Sequence, residues 1–287
     1  MRTIAHLSDL HFGRADPRVA DALVADLAAN PVDLVVVSGD FTQRARRRQY
    51  VAARRFLDRL PRPQVLVPGN HDIPLYDLVR RFVWPLNRYR RYISDDLWPF
   101  YADEQIAVLG MNSARSWSWR WNGFWKDGRL SEEQLRRAAA LLAEVAGDAL
   151  KIVVVHHPFI APARHHVHNI IGNVGPALAT LGECGVDILL GGHLHQPYHG
   201  DVRAQHPQAG RSILSIQAGT AISARRRGQL NSYNVLRVEG RRLDLCVRAW
   251  DGAAFAPAAT TGYLRGPEGW HQVDCEGNTS GAEAIAC

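Results

Sequence analysis

Five short segments of this chain end in side chains able to hold metal ions: Asp9 and His11, Asp40, Asn70 and His71, His156, then His193 and His195. The donors are imidazole nitrogens with carboxylate or amide oxygens and no thiolate. That set suits Zn, Mn, Fe or Co rather than a structural cysteine site. One closed tetrahedral site needs about four ligands, whereas two sites sharing a carboxylate need about seven or eight. The number present fits two ions. Such a pair lowers the pKa of a bridging water and clamps the attacking and leaving oxygens of an in-line displacement at phosphorus. Taken singly, Asp40 could be a helix cap and Asn70 after Gly69 a turn former. Five such endings in succession are difficult to attribute to chance.

The elements that must position these residues are short apolar runs, each followed by polar, Gly-containing punctuation. They are Thr3–Leu7, Leu34–Val37, Val65–Val67, Ile152–Val155 and Ile188–Leu190. Short, non-alternating and rich in β-branched residues, they read as strands buried on both faces. Helix patterns lie between them at Arg18–Ala29, Gln49–Leu60, Ser131–Ala146 and Pro176–Cys184. The third opens with Ser131-Glu132-Glu133-Gln134, a capping-box pattern. Strand–helix alternation implies covered sheets, and in such sheets ligands sit beyond the carboxyl ends of the strands. After residue 195 the pattern becomes consecutive strands at Tyr198–Arg203, Ser212–Gln217, Ser232–Glu239 and Leu243–Trp250. From Asp251 to Cys287 the Ala-, Gly-, Thr- and Pro-rich composition reads as a loose tail.

Asp9-Leu10-His11, Gly39-Asp40, Gly69-Asn70-His71-Asp72, His156 and Gly192-His193-Leu194-His195 resemble, in order, the five motifs of the calcineurin-like metallophosphoesterases. The resemblance spans about two-thirds of the chain. It implies an α/β fold, a four-layer α/β/β/α sandwich occupying residues 1–250. It also implies two divalent ions (Mn, Fe or Zn), with Asp9, His11 and His195 on the first, Asn70, His156 and His193 on the second, and Asp40 bridging. His71 would contact the phosphate and protonate the leaving oxygen, held by Asp72 behind it, while a metal-bridging hydroxide attacks. His157 reads as an orienting or packing residue. His165, His166, His168 and His206 read as exposed loop imidazoles, and His199 is not assigned to the site.

The run Gly39-Asp40-Phe41-Thr42-Gln43-Arg44-Ala45 departs from the GDxxDRG pattern of the protein Ser/Thr phosphatases. The whole pattern is more similar to the bacterial cyclic-nucleotide and glycerophospho-diesterases. A small phosphodiester such as a 3′,5′-cyclic nucleotide is therefore the expected substrate. Two alternatives are a pyrophosphatase acting on a nucleotide-linked lipid precursor such as UDP-diacylglucosamine, and a non-catalytic scaffold. The second alternative is disfavoured by the intact ligand set.

Two flanking segments bear on substrate. Residues 75–129 read as a cap-like insertion carrying Arg80, Arg81, Arg88, Arg90 and Arg91, and Pro85 should break any helix there. The same insertion holds Trp117, Trp119 and Trp121 interleaved with Arg115 and Arg120, a composition that suits packing, a nucleotide base or peripheral membrane contact. Arg225-Arg226-Arg227 would neutralise a second phosphate if its turn folds back toward the GHLH segment.

The composition excludes other classes. With 287 residues, 46% hydrophobic and 22% charged, the chain can bury a large core and is not disordered. No apolar run has the ~18–20 residues of a membrane helix. The start enters a strand directly, without a secretory pattern. Cys184, Cys246, Cys275 and Cys287 form no CxxC pair and read as reduced thiols of a cytoplasmic protein. The net charge of +6, carried by 34 Lys and Arg against 28 Asp and Glu, favours anionic partners. No nucleic-acid-binding motif accompanies it.

Overall fold

The computed structural model describes residues 1–117, 127–145, 147–162, 170–225 and 228–274. Two sheets face each other. The first has seven strands: β1 (Arg2–Leu7), β2 (Leu34–Val37), β3 (Gln64–Leu66), β10 (Ser232–Glu239), β11 (Arg242–Trp250), β12 (Phe255–Gly266) and β13 (Gly269–Val273), in the order β13-β12-β11-β10-β1-β2-β3. The second has six: β4 (Phe100–Ala102), β5 (Ile106–Gly110), β6 (Leu150–Val154), β7 (Ile188–Gly191), β8 (Tyr198–Asp201) and β9 (Leu214–Gln217), ordered β4-β5-β6-β7-β9-β8. Helices α1 (Pro17–Ala29), α2 (Arg47–Leu57), α3 (Leu78–Val83) and α4 (Asn87–Tyr92) follow strands of the first sheet, and α5 (Glu132–Ala143) and α6 (Val174–Glu183) those of the second.

Side-chain alternation explains the layers. In β2, Leu34 and Val36 meet the opposite sheet, together with Ile152, Val154, Ile188 and Leu190. Val35 and Val37 face the other way, onto Leu23 and Leu27 of α1 and Tyr50, Ala53 and Leu57 of α2. On the far side, Val153 and Leu189 meet Leu135, Ala138 and Leu142 of α5 and Leu178 and Leu181 of α6. The strands are apolar throughout because both faces are covered. The result is the expected α/β/β/α sandwich.

Local chemistry sets the helix ends. Asp16 accepts the N–H of Arg18 at 3.0 Å ahead of Pro17, and Ser131 and Gln134 form the reciprocal box that the sequence announces. Pro85 separates α3 from α4 as expected.

Four expectations change. Residues 255–273 are strands, not a loose tail: Tyr263 and Trp270 are buried between the sheets, and the Trp270 indole N–H donates to the Asp187 carbonyl at 2.9 Å. The segment 75–129 is not one insertion, since β4 and β5 belong to the six-stranded sheet and Leu86, Tyr89 and Ile93 enter the core beside α2. Cys246 is disulfide-bonded while Cys184 is free. Bridges depend on tertiary proximity rather than on spacing in the chain, so the thiol argument for a reducing compartment falls. His206 is buried, because the turn closed by its N–H on the Val202 carbonyl brings Nε2 2.8 Å from the Phe159 carbonyl. Trp119, Arg120, Trp121, His165, His166, His168, Arg226, Arg227, Cys275 and Cys287 lie outside the described residues. Among those described, no helix is long and apolar enough to cross a membrane.

Candidate metal centre

β1, β2 and β3 run parallel in one sheet, and β6 and β7 run parallel in the other. Their carboxyl ends open at the same edge of the sandwich, and the polar endings read from the sequence meet there. Two donor groups result. Around the Asp9 carboxylate, Oδ1 lies 3.4 Å from Nε2 of both His11 and His195, and the two imidazole nitrogens are themselves 3.4 Å apart. Around Asn70, Oδ1 lies 3.1 Å from His156 Nε2 and 3.2 Å from His193 Nδ1. Asp40 stands between, with Oδ2 3.4 Å from His156 Nε2 and 3.7 Å from His11 Nε2.

Two atoms test whether ions fit. Asp9 Oδ1 and Asp40 Oδ2 are buried and receive no hydrogen bond, whereas the second oxygen of each is satisfied. Asp9 Oδ2 accepts from the Ser8 hydroxyl (2.7 Å) and the His193 N–H (3.0 Å), and Asp40 Oδ1 accepts the His71 N–H at 2.8 Å. Buried carboxylate oxygens without donors are costly unless a cation completes them. Here each faces a ring of imidazole nitrogens. The donor cluster fits a pair of divalent ions.

The backbone is shaped for this. Six non-glycine residues among those described have positive φ, and five of them are Asp9 (54°), His11 (46°), Asp40 (56°), His193 (71°) and His195 (62°). Each left-handed residue costs roughly 1 kcal/mol or more. Together they approach the net stability of a domain, on the order of 5–15 kcal/mol. Strain concentrated on one set of polar residues points to function. Gly39 (φ 101°) permits the same approach, since a Cβ there would lie 2.6 Å from His156 Nδ1.

Further side chains aim the rings. His156 Nδ1–H donates to the Ser38 carbonyl at 2.8 Å, and His195 Nδ1 lies 2.8 Å from Thr220 Oγ1 and 3.0 Å from the Arg225 carbonyl. Such partners direct Nε2 at a metal. His157 packs its ring 4.8 Å from that of His193 and bonds Ser113, and it also offers a ring nitrogen within 4.8 Å of donor atoms of His156 and His193. His199 instead bonds the Tyr263 hydroxyl on β12.

Electrostatics follow the geometry. Burial alone would raise the Asp9 and Asp40 carboxyls. The imidazoles of His195 and His11 around the first, and of His156 and His71 around the second, outweigh it and hold both well below the usual range. Burial opposes the charged form of His156, but the Asp40 and Asp9 carboxylates win and raise it to about 9. Burial lowers His193, helped by His157 and His156.

His71 departs from expectation in how it is held. Asp72, the last residue of the short 3₁₀ turn Asn70–Asp72, turns its carboxylate back onto the backbone N–H groups of Gly69 (3.0 Å), Phe41 (3.1 Å) and Thr42 (2.9 Å). It therefore ties the β2 and β3 loops together and does not touch the His71 ring. The ring is held by the Gln43 carbonyl, 2.9 Å from Nδ1, and by Arg225 Nη1, 2.9 Å from Nε2. A guanidinium can only donate, so Nε2 accepts and the ring proton sits on Nδ1. Burial, with His11 and Arg225 adding to it against Asp40, lowers the ring to about 4. The sequence offered no signal for Gln43 or Thr220. Arg225 was visible only as part of a basic run, and its turn does fold back to the site.

A profile of the family described as calcineurin-like phosphoesterase matches residues 2–197, from β1 through the last histidine of the cluster. The chain belongs to that family. The chain is similar to glycerophosphodiester phosphodiesterase GpdQ of Enterobacter lignolyticus (strain SCF1), at 30% identity over 176 residues, 54% of this chain and 56% of that one. It thus spans little more than half the length of that curated relative. Among solved structures, a dimetal phosphatase from Danio rerio matches with a TM-score of 0.59 at 16% identity, over 86% of this chain and 96% of that one. The purple acid phosphatase PPD1 from yellow lupin (Lupinus luteus) seeds matches at 0.63 and 12%, over 90% and 53%. At such identities the likeness is one of fold.

Proposed function

We propose that this phosphoesterase is a two-metal phosphodiesterase acting on a small phosphodiester, a 3′,5′-cyclic nucleotide or a glycerophosphodiester. The observation that carries the reading is the pair of unsatisfied buried carboxylate oxygens, each facing an imidazole nitrogen from the end of another strand. Two divalent ions held there supply Lewis acidity toward the phosphoryl oxygens and acidify water. The chain's own residues do the rest. Asp40 shares its free oxygen between both donor groups. His71 faces the leaving side, and its neutral ring cannot give a proton from Nε2 while Arg225 donates to that atom. We assign Arg225 to the phosphoryl oxygens once substrate is bound. An anionic phosphate taking the guanidinium's place raises the ring's basicity, which readies Nε2 to protonate a poor alkoxide leaving group. Asp72 positions this machinery through the Gly69, Phe41 and Thr42 amides rather than through the ring.

Hydrolysis of bis-p-nitrophenyl phosphate with added Mn, abolished by chelation, tests the reading, followed by a comparison of cyclic AMP with glycerophosphocholine. No turnover with any of Mn, Zn or Fe would leave the scaffold reading standing, and turnover that survives chelation would overturn the two-metal reading. His71→Gln is expected to retain its metals and lose roughly 10²–10⁴-fold on unactivated diesters, and much less on the nitrophenyl ester. An equal loss on both would remove the acid role.

The nucleotide-linked lipid remains a second reading on one observation. α3 and its flanks expose Tyr76, Leu78, Val79, Phe82, Val83 and Trp84, and buried Arg81 of the same helix lines a small cavity with Asn70 and His71. Faster cleavage of a diacyl substrate than of its deacylated counterpart would favour it.

A further inference from the structure

Beside His71 the surface opens into a cavity of about 540 Å³ lined by five arginines, Arg14, Arg44, Arg46, Arg48 and Arg225. They come from three segments: the loop after β1, the loop from β2 together with the first turn of α2, and the turn after β9. No carboxylate is among the residues that line the cavity. Among the described residues, Arg14, Arg44, Arg46 and Arg48 make no ion pair. Farther along the same region, Arg54 and Arg62 pair with Asp58 and Arg59 pairs with Asp21. Arg46 and Arg48 also stand at the start of α2, where the helix end is already positive and no acidic side chain occupies the first turn. Cations crowded there oppose one another and the helix dipole, so the arrangement does not serve the stability of the empty protein.

The cavity is continuous with the reaction centre. Gln43 and Arg225, which line it, are also the two residues that hold the His71 ring. Resting on the phosphodiesterase reading, we propose that this cavity is a subsite for a second phosphate group carried by the substrate, so that the preferred small phosphodiester bears a further phosphate beyond the one cleaved. Guanidinium forks match phosphate oxygens bidentately, and the volume accommodates a nucleoside-sized connector. Arg225 lies where the two phosphates would adjoin.

The test compares two esters with the same leaving group: p-nitrophenyl thymidine 5′-phosphate, and that ester carrying an added 3′-phosphate. With Mn-loaded protein at low salt, kcat/KM is expected to be at least about tenfold higher for the 3′-phosphorylated ester, through KM, with the advantage shrinking as ionic strength rises. In the double variant Arg46→Gln/Arg48→Gln the ratio is expected to fall to within about twofold of unity. Both side chains are exposed, and circular dichroism verifies that the variant is folded. The Arg14→Gln variant provides an independent second probe from another segment. Equal kcat/KM for the two esters in the wild type overturns the subsite while leaving the phosphodiesterase reading intact. A preference that survives both variants overturns the assignment to this cavity. No turnover of either ester or of bis-p-nitrophenyl phosphate removes the phosphodiesterase reading and the subsite with it.

Discussion

The donor group around Asp9 and the one around Asn70 share Asp40 but are built by different means. In the first, all three candidate donors lie in left-handed backbone and are almost inaccessible, with His195 2% exposed and Asp9 and His11 at 0%. The group contributes a second carboxylate besides the shared one. In the second, Asn70 and His156 have ordinary backbone, His193 reaches the surface, and the oxygen ligand apart from Asp40 is a neutral amide. The difference teaches how one cluster can hold two ions unequally. The anionic, enclosed group should bind the first ion tightly, whereas the more open, neutral group should exchange the second.

Removing the shared ligand should erase the comparison. Asp40→Ala is expected to lose both ions, measured by elemental analysis, and on the order of 10³-fold in kcat, by analogy with removal of a principal electrostatic group. The single-sided variants should separate the groups. Asp9→Ala is expected to empty the first and weaken the second, because Asp9 Oδ2 also holds the His193 N–H. Asn70→Ala should leave about one ion bound, and Mn titration followed by paramagnetic resonance distinguishes the two. If Asn70→Ala loses both ions, the groups are not independent. Thr220→Ala, which removes a partner of His195 Nδ1, should weaken only the first ion, by roughly 10–100-fold in affinity. The smallest effect is a proton. His156, raised to about 9, is protonated near pH 7.5 in metal-free protein, so loading the second group should release about one proton, seen in calorimetry across buffers of different ionisation heat. The linked stability has a defined sign. With its folded pKa above the ordinary 6.5, His156 stabilises the metal-free fold below pH 6.5, and that contribution disappears as pH rises through about 9. His71, lowered to about 4, acts oppositely, losing its contribution as pH falls from 6.5 toward 4.

How far the chain could be read before folding depended on what each element buries. β1, β2, β6 and β7 are covered on both faces, so apolar runs betray them. β12 pairs with β11 through its backbone while Pro257, Ala258, Ala259 and Thr260 stay exposed. A register irregularity at Val247 and Arg248 accommodates the proline, and no hydrophobic pattern marks the strand. β5 carries an apolar run, Ile106–Gly110, but it ends without a metal-binding side chain and so lacked the cue that flagged its neighbours.

The same division runs through the site. The candidate donors and their order along the chain were legible in residue type, because metals demand particular donor atoms wherever the chain supplies them, and the structure gathers them into clusters that could hold metal ions. The tertiary structure alone decided that Asp72 serves the backbone rather than His71, that Gln43 and Arg225 hold that ring, and that arginines from three segments border the reaction centre. Those relations depend on the directions in which loops leave different strands. Contacts between loops of different strands, from 28 positions apart for Gln43 and His71 to 154 for Arg225 and His71, leave no trace in composition or periodicity.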